Sequence, residues 1–197
     1  MATYHAIAAV GGAVLRLLED GCPRGEFPAA QFRLIQAAEY QAVPMREGVS
    51  LFLYRLGLNA NLRNRPARVA ADGRRLRPSL PLDLYYLLTP WGETAGRQHR
   101  LLGWAMQLLE DTAILPAGLL NSPGPEHDTF RPSEAVELLC EPLSVQDITG
   151  VWQGLRADWQ LSVTYVARLV LLDSDAELAG GPPVQAQQYV LGPVPTT

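Results

Sequence analysis

A chain of 197 residues has room for one domain with a sizeable core. Its net charge of −4 gives bulk electrostatics no pull toward nucleic acid, and two cysteines make neither a disulfide framework nor a metal site. No apolar run approaches the roughly 18 residues of a membrane span, and the start lacks the basic–apolar–cleavage order of a signal peptide.

All 16 basic residues other than histidine are arginine. Arginine presents a planar fork of donors, the cation best suited to interfaces. A charged fraction of 18% is on the low side, as expected for a surface partly covered by other subunits.

From the start, Thr3 is placed to cap a helix running to Asp20, with Tyr4, Ile7, Val10, Val14, Leu17 and Leu18 as its apolar stripe. Gly11 and Gly12 interrupt it at a cost of roughly 1 kcal/mol each against alanine, which points to close backbone packing. Gly21 suits the residue just past the helix end. A first strand is expected over 32–36 and a turn over 44–48. A central strand with apolar residues on both faces follows at 49–58. There Leu51 and Leu53 point one way, and Phe52, Tyr54, Leu56 and Leu58 the other.

Residues 59–79 read as a polar loop. Arg63, Arg65, Arg68, Arg74, Arg75 and Arg77 stand there against one acid, Asp72. Three readings compete: a solvated loop, a contact to an acidic protein surface, and nucleic-acid binding. The last lacks interleaved aromatics for base stacking.

Residues 84–120 are the stretch around which the chain is organised. A strand over 81–89 puts Leu82, Leu84, Tyr86 and Leu88 on one face and Tyr85 and Leu87 on the other. Pro90 is expected to end it, since proline cannot donate to a ladder. Thr94 caps a helix over 95–111 whose polar arc holds Arg97, Arg100, Gly103, Gln107, Glu110 and Asp111. Trp104 sits at the edge of that arc, either as a rim residue shielding the core or as an anchor for another subunit.

Residues 121–132 form a Pro/Gly-punctuated loop. A strand over 136–141 follows, with Val136, Leu138 and Cys140 on one face. Ser144, with Asp147 three residues on, caps a short helix carrying Val145, Ile148, Trp152 and Leu155, and Trp152 is expected in the core. The longest strand is expected over 159–172, its inward face Trp159, Leu161, Val163, Tyr165, Ala167, Leu169 and Leu171. Residues 176–197 are rich in Gly, Pro and Gln, and within them 185–191 reads as an edge strand or extended arm.

His5, His99 and His127 have no metal-ligand spacing to one another or to other donors. No nucleophile elbow, P-loop or dinucleotide glycine pattern occurs. The expectation is therefore no catalytic, cofactor-binding or metal residues and no cofactor. On residue chemistry alone the chain is an α+β domain with no visible active site, its elements running helix, strands, helix, strand, helix, strand.

Three blocks carry a family resemblance: LFLYRLGLNANLRN (51–64), LYYLLTPWGETAGRQHRLLGWAMQLLEDTAILPAGLL (84–120) and ITGVWQGLRADWQLSVTYVARLVLLDS (148–174). Together they resemble the N-terminal domain of the cap, or tube-terminator, proteins of extracellular contractile injection systems. The resemblance covers roughly 1–175 and leaves 176–197 as a separate arm. It implies a phage tail-terminator-like fold, a central mixed, mostly antiparallel sheet of about four to six strands with three helices packed on it, and a structural, non-enzymatic role. It further implies a homo-hexameric ring that stops the inner tube and ties it to the last sheath layer, with tube and sheath proteins as partners. The implied location is the cytoplasm at synthesis and then the particle. The candidate contacts are Arg63, Asn64, Arg65, Arg74, Arg75 and Arg77 in the loop, Trp91 and Glu93 in the turn, Trp104, and Tyr189 in the arm. A terminator at a phage neck, where DNA crosses the ring, is the near alternative. A small-ligand or enzymatic domain is the distant one.

Overall fold

The computed structural model describes residues 4–42, 45–70, 72–121 and 128–178. In chain order the elements are α1 (Ala6–Gly21), β1 (Gln31–Leu34), β2 (Gly48–Leu58), β3 (Arg68–Val69), β4 (Arg75–Leu76), β5 (Leu80–Trp91), α2 (Ala95–Asp111), β6 (Ile114–Pro116), α3 (Ala117–Leu120), β7 (Ala135–Cys140), α4 (Val145–Leu155) and β8 (Val163–Leu172). Six strands form one sheet in the order β1-β2-β5-β8-β7-β6, and β3 with β4 makes a separate hairpin. Only β1 and β2 run parallel; every other pair in the sheet is antiparallel. The expected mixed, mostly antiparallel sheet is therefore what forms, with a fourth, four-residue helix added at α3.

β5 is central because both its faces are apolar. Leu82, Leu84, Tyr86 and Leu88 enter the larger core, under α1, α2 and α3. Leu87 and Trp91 enter a smaller one with Tyr40, Trp152 and Leu155. β5 does not stop before Pro90, as the sequence predicts, but runs on to Trp91. Beyond Leu88, β8 no longer accompanies it, and β2 alone pairs with Thr89, Pro90 and Trp91. A strand with one neighbour needs donors on one side only, so the proline is tolerated there.

α1 packs through small residues. Ala6, Ala9, Val10, Gly11, Ala13, Val14 and Leu18 are buried, while Tyr4 is 81% exposed and lies outside the expected stripe. Alanine brings the helix close to the sheet, and a side chain on Gly11 would meet Leu34 at 3.1 Å. Gly21 is the last helical residue rather than a left-handed stop; Cys22 follows in extended conformation. Thr3 lies outside the described residues. Gly48, where β2 starts, is obligatory: its φ is +146°, and a Cβ would fall 1.9 Å from the Gln31 carbonyl oxygen.

α2 has the expected limits, and the Thr94 hydroxyl accepts from the Arg97 amide at 3.3 Å. Thr94→Ala is expected to cost about 1 kcal/mol in a urea melt, with Thr94→Ser near neutral. α4 begins as read: Ser144 Oγ accepts from the Asp147 amide at 3.1 Å. Its Val145, however, is 78% exposed and makes no part of the core, whereas Trp152 is buried.

The largest departure concerns β8. The strand starts at Val163, and Trp159 and Leu161 lie in the preceding segment, 51% and 37% exposed. Leu169 also fails to point inward. Leu82 pairs with Val170 and Leu84 with Ala167, so Arg168 and Leu169 together oppose Asp83. Leu169 takes φ +64°, and its amide donates to the Asp83 carboxylate at 3.2 Å. This bulge shifts the alternation by one, putting Val170 in the core in place of Leu169. β2 bulges likewise at Tyr54, between pairs Leu53–Tyr86 and Arg55–Tyr85. Leu56 and Leu58 are thereby turned onto the face of Leu84 and Leu82, opposite to the expected one.

Candidate assembly surface

The arginine-rich stretch is a folded unit rather than a loop. β3 and β4 pair antiparallel, and Gly73 takes φ +84° in the turn between them. The chain after β8 adds itself to the hairpin: Leu76 bridges Glu177, the Arg77 amide donates to Ala176, and the Leu178 amide donates to Arg75.

One carboxylate ties this unit to the sheet. The Asp173 side chain is 5% exposed and forms a close ion pair with Arg68. It also accepts from Arg131 Nη2 at 3.3 Å and from Ser79 Oγ at 2.5 Å. Arg68 Nη2 donates in turn to the Ser174 carbonyl at 3.2 Å. The arginine cluster thus divides by role. Arg68 faces inward and locks the hairpin in place, while Arg63, Asn64, Arg74, Arg75 and Arg77 are exposed. Arg65 is half-buried and lines two adjoining hollows with Glu134 and Leu171. Arg74 is bonded to Asp72 at 2.6 Å, holding that carboxyl below its ordinary range, and reaches Glu177 at 3.1 Å. The inward role of Arg68 has no local sequence signal, because its carboxylate partner stands 105 positions downstream.

The other candidates fall apart in space and in character. Trp91 is 5% exposed, with its indole N–H donated to Ser50 Oγ at 2.8 Å, so it belongs to the smaller core. Glu93, two residues on, is exposed and paired with Arg46 at 2.8 Å. Trp104 is half-buried, its ring edge-on to Phe32 at 5.8 Å and tilted to Phe27 at 6.5 Å. That packing holds it at the margin of the larger core. Tyr189 lies outside the described residues. On the arc of α2 turned away from the sheet, Arg100 pairs with Glu26 at 2.8 Å, and Arg97 is bonded to Glu47 beside it.

The ionisable groups follow burial rather than convergence. Burial pushes the thiols of Cys22 and Cys140 up, and the phenols of Tyr40, Tyr54, Tyr86 and Tyr165 as well. These are shifts that make a nucleophile weaker. Among the described residues there is no group of three or more His, Cys, Asp and Glu able to hold a metal. No described helix is long and apolar enough to cross a membrane. A hollow of about 400 Å³ is lined by Tyr40, Gln41, Trp91, Arg156, Asp158 and Gln160.

One set of exposed apolar side chains gathers at an end of the sheet. Leu56 and Leu58 are 46% and 51% exposed beside Leu84 and Leu82, and Leu80, 46% exposed, shares their face two residues before Leu82. They form a leucine row at the end of the sheet where β2 finishes and β5 begins.

The architecture has solved counterparts. It matches a cryo-EM structure of the sheath/tube terminator of an extracellular contractile injection system, PVC, in the extended state, with TM-score 0.64 and 18% identity over 97% of this chain and 65% of that one. It also matches the tube-terminating cap of the anti-feeding prophage, with TM-score 0.61 and 15% identity over 92% of this chain and 60% of that one. The chain therefore spans under two thirds of either protein's length. The fold is that of a tube-terminating cap. The chain belongs to the Pvc16 N-terminal domain family, whose model matches residues 9–186. No curated protein sequence matches it.

Proposed function

We propose that this chain is a structural cap of a contractile injection particle: it closes into a ring on the end of the inner tube, stops further tube layers and fastens the last sheath layer. The observation that carries the reading is the shared fold across nearly the whole chain with two tube-terminating caps, together with family membership. Its partners are further copies of itself, most simply six, the tube protein and the sheath protein. It acts without catalysis, without a cofactor and without nucleic acid. It is made in the cytoplasm and then carried in the particle.

A growing tube end offers strand edges and apolar ring surface to the next layer. A terminator matches that surface on one side and refuses it on the other. Contacts around the ring are heterologous, and they close. The exposed arginines of the β3–β4 hairpin give the cap a cationic contact with an acidic partner surface, the sheath being our assignment. Arg75 and Arg77 are exposed, so reversing both to glutamate is expected to leave the melting temperature nearly unchanged. The same variant is expected to lose binding to sheath-bearing particle ends in a pull-down. Retained binding would remove the hairpin from the interface.

A further inference from the structure

An apolar groove of about 310 Å³ runs between β2 and α4. Phe52 and Tyr54 form one wall, and Gly150, Val151, Gly154 and Leu155 the other. The β2 wall is also an open strand edge. β1 accompanies β2 only as far as the Leu34–Leu51 pair, and β2 runs on to Leu58. Residues 52–58 therefore have a strand on the β5 side alone among the described residues. A stretch of that length extends about 23 Å. It presents backbone donors and acceptors to the open side.

The α4 wall is cut low. Gly150 and Gly154 stand four apart, on one face of the helix. Glycine inside a helix costs stability against alanine. No contact within the described chain asks for either, since a Cβ at each position would meet nothing within 4 Å. The two glycines leave room beside the strand edge for a further backbone.

The chemistry of this gap defines what fills it. A row of main-chain groups along a strand is matched by another extended polypeptide. Side chains of such a strand alternate between two apolar surfaces. One is the groove; the other is Leu56 and Leu58, 46% and 51% exposed on the opposite face. The one charge in 52–58 is Arg55, which is exposed, lies 4.7 Å over the Tyr85 ring and has no ion-pair partner among the described residues. Glu39, on the turn after β1, is taken by Arg33 at 2.8 Å, and Glu141 stands 3.9 Å from Arg168. An acid on the incoming strand would answer Arg55. The described edges of a second copy do not supply this strand. An antiparallel self-pair centred on 52–58 sets Arg55 against Arg55, and like charges directly opposite are destabilising. The far edge of the sheet, β6, offers three residues, one of them Pro116, which has no amide to donate.

We propose that the β2 edge, residues 52–58, and the glycine face of α4 form a receptor for an extended segment of the tube protein, apolar on both faces and carrying an acidic residue beside Arg55. This rests on the cap reading above, in which the tube end offers strand edges to the layer that follows it.

The test passes the intact chain over immobilised overlapping peptides that tile the tube protein. One acid-bearing peptide is expected to capture it. Capture should be lost in Gly154→Leu, whose side chain fills the groove, and weakened in Arg55→Glu. The melting temperature of Gly154→Leu should not fall, because leucine is the better helix former and its Cβ enters open space. The bound peptide should slow amide exchange over 52–58 and leave 68–77 unchanged. Absence of any capturing peptide, or equal capture by Gly154→Leu, would overturn the receptor. Capture without protection of 52–58 would overturn the strand addition. Intact tubes give the second measurement: the native chain is expected to co-sediment with them and Gly154→Leu is not. Equal co-sedimentation would count against the groove and leave the cap reading standing, whereas a native chain that ignores tubes would remove both.

Discussion

Replacing Trp152 with alanine is expected to destabilise the protein by about 4 kcal/mol, the range for deleting a buried aromatic. Trp152 is 2% exposed and, with Leu155, carries α4 into the smaller core. Its ring meets Tyr40 edge-on at 5.1 Å, and its indole N–H donates to Ser162 Oγ at 3.2 Å. Among the described residues that core has seven buried members, Ile35, Tyr40, Met45, Leu87, Trp91, Trp152 and Leu155. A void there has few neighbours able to close it. With total stability on the order of 5–15 kcal/mol, the variant should sit near the edge of folding. Trp152→Phe keeps most of the ring contact and is expected to cost about 1–2 kcal/mol, chiefly the lost hydrogen bond and some area. Urea unfolding followed by circular dichroism measures both. A cost below 1 kcal/mol for the alanine would mean that α4 is not held by this face.

Asp173→Asn should have the second largest effect, about 3 kcal/mol, because it leaves a charge without its counter-ion in a partly enclosed site. The carboxylate receives Arg68, Arg131 and Ser79 at once, and Arg68 is itself only 17% exposed. The effect should be local as well as global. Losing the anchor frees β3–β4 from the end of β8, and Arg74 and Arg75 then become open to trypsin. Hydrogen exchange over 68–77 is expected to rise in the variant while the amides of β5 stay protected. Unchanged exchange in the hairpin would show that its pairing with residues 176–178 suffices to hold it. Arg131→Gln should cost under 1 kcal/mol by comparison, since Arg131 is half exposed at 50% and a solvated pair contributes little.

These two sites also show what a linear reading of the residues can and cannot see. Trp152 follows a local capping signal and sits on a clear helical stripe, so its burial is readable in advance, as are the limits of α2 and the two faces of β5. Asp173 looks like one more polar residue at the end of a strand, because its partners Arg68, Ser79 and Arg131 come from distant segments. The bulges were hidden for a related reason. Alternation read along one strand assumes that every residue has one partner. At Tyr54 and Leu169 that count fails, so Leu56, Leu58 and Leu169 emerge on faces they were not expected to occupy. Tyr4 and Val145 fit their helical stripes but lie at helix starts, beyond the reach of the sheet. β6 and α3 are too short to leave a periodic signal.

For the candidate contacts the same division holds. The arginine cluster is obvious as composition, but its sorting into an inward anchor and an outward face needs the hairpin. Trp91 stands in a turn that looks exposed, yet β5 carries it into the smaller core, where Ser50 supplies a partner for its indole. The leucine row gives no sequence warning, since Leu56 and Leu58 sit inside a strand that reads as central and Leu80 falls just ahead of the strand expected over 81–89. What the exposed features share is an absence of convergence: charges are spread over the hairpin, the turn after β5 and α2, as suits contacts with several neighbours around a polymer end.

The claim underneath all of this is that the chain exists to finish a tube. Negative-stain electron microscopy of the purified protein mixed with its tube protein tests it most directly, with tube lengths measured in particles made with and without the gene. The account predicts rings bound at one tube end only, and tubes of uncontrolled length when the protein is missing. Monomers that ignore tube ends, together with tubes of normal length in its absence, would contradict it.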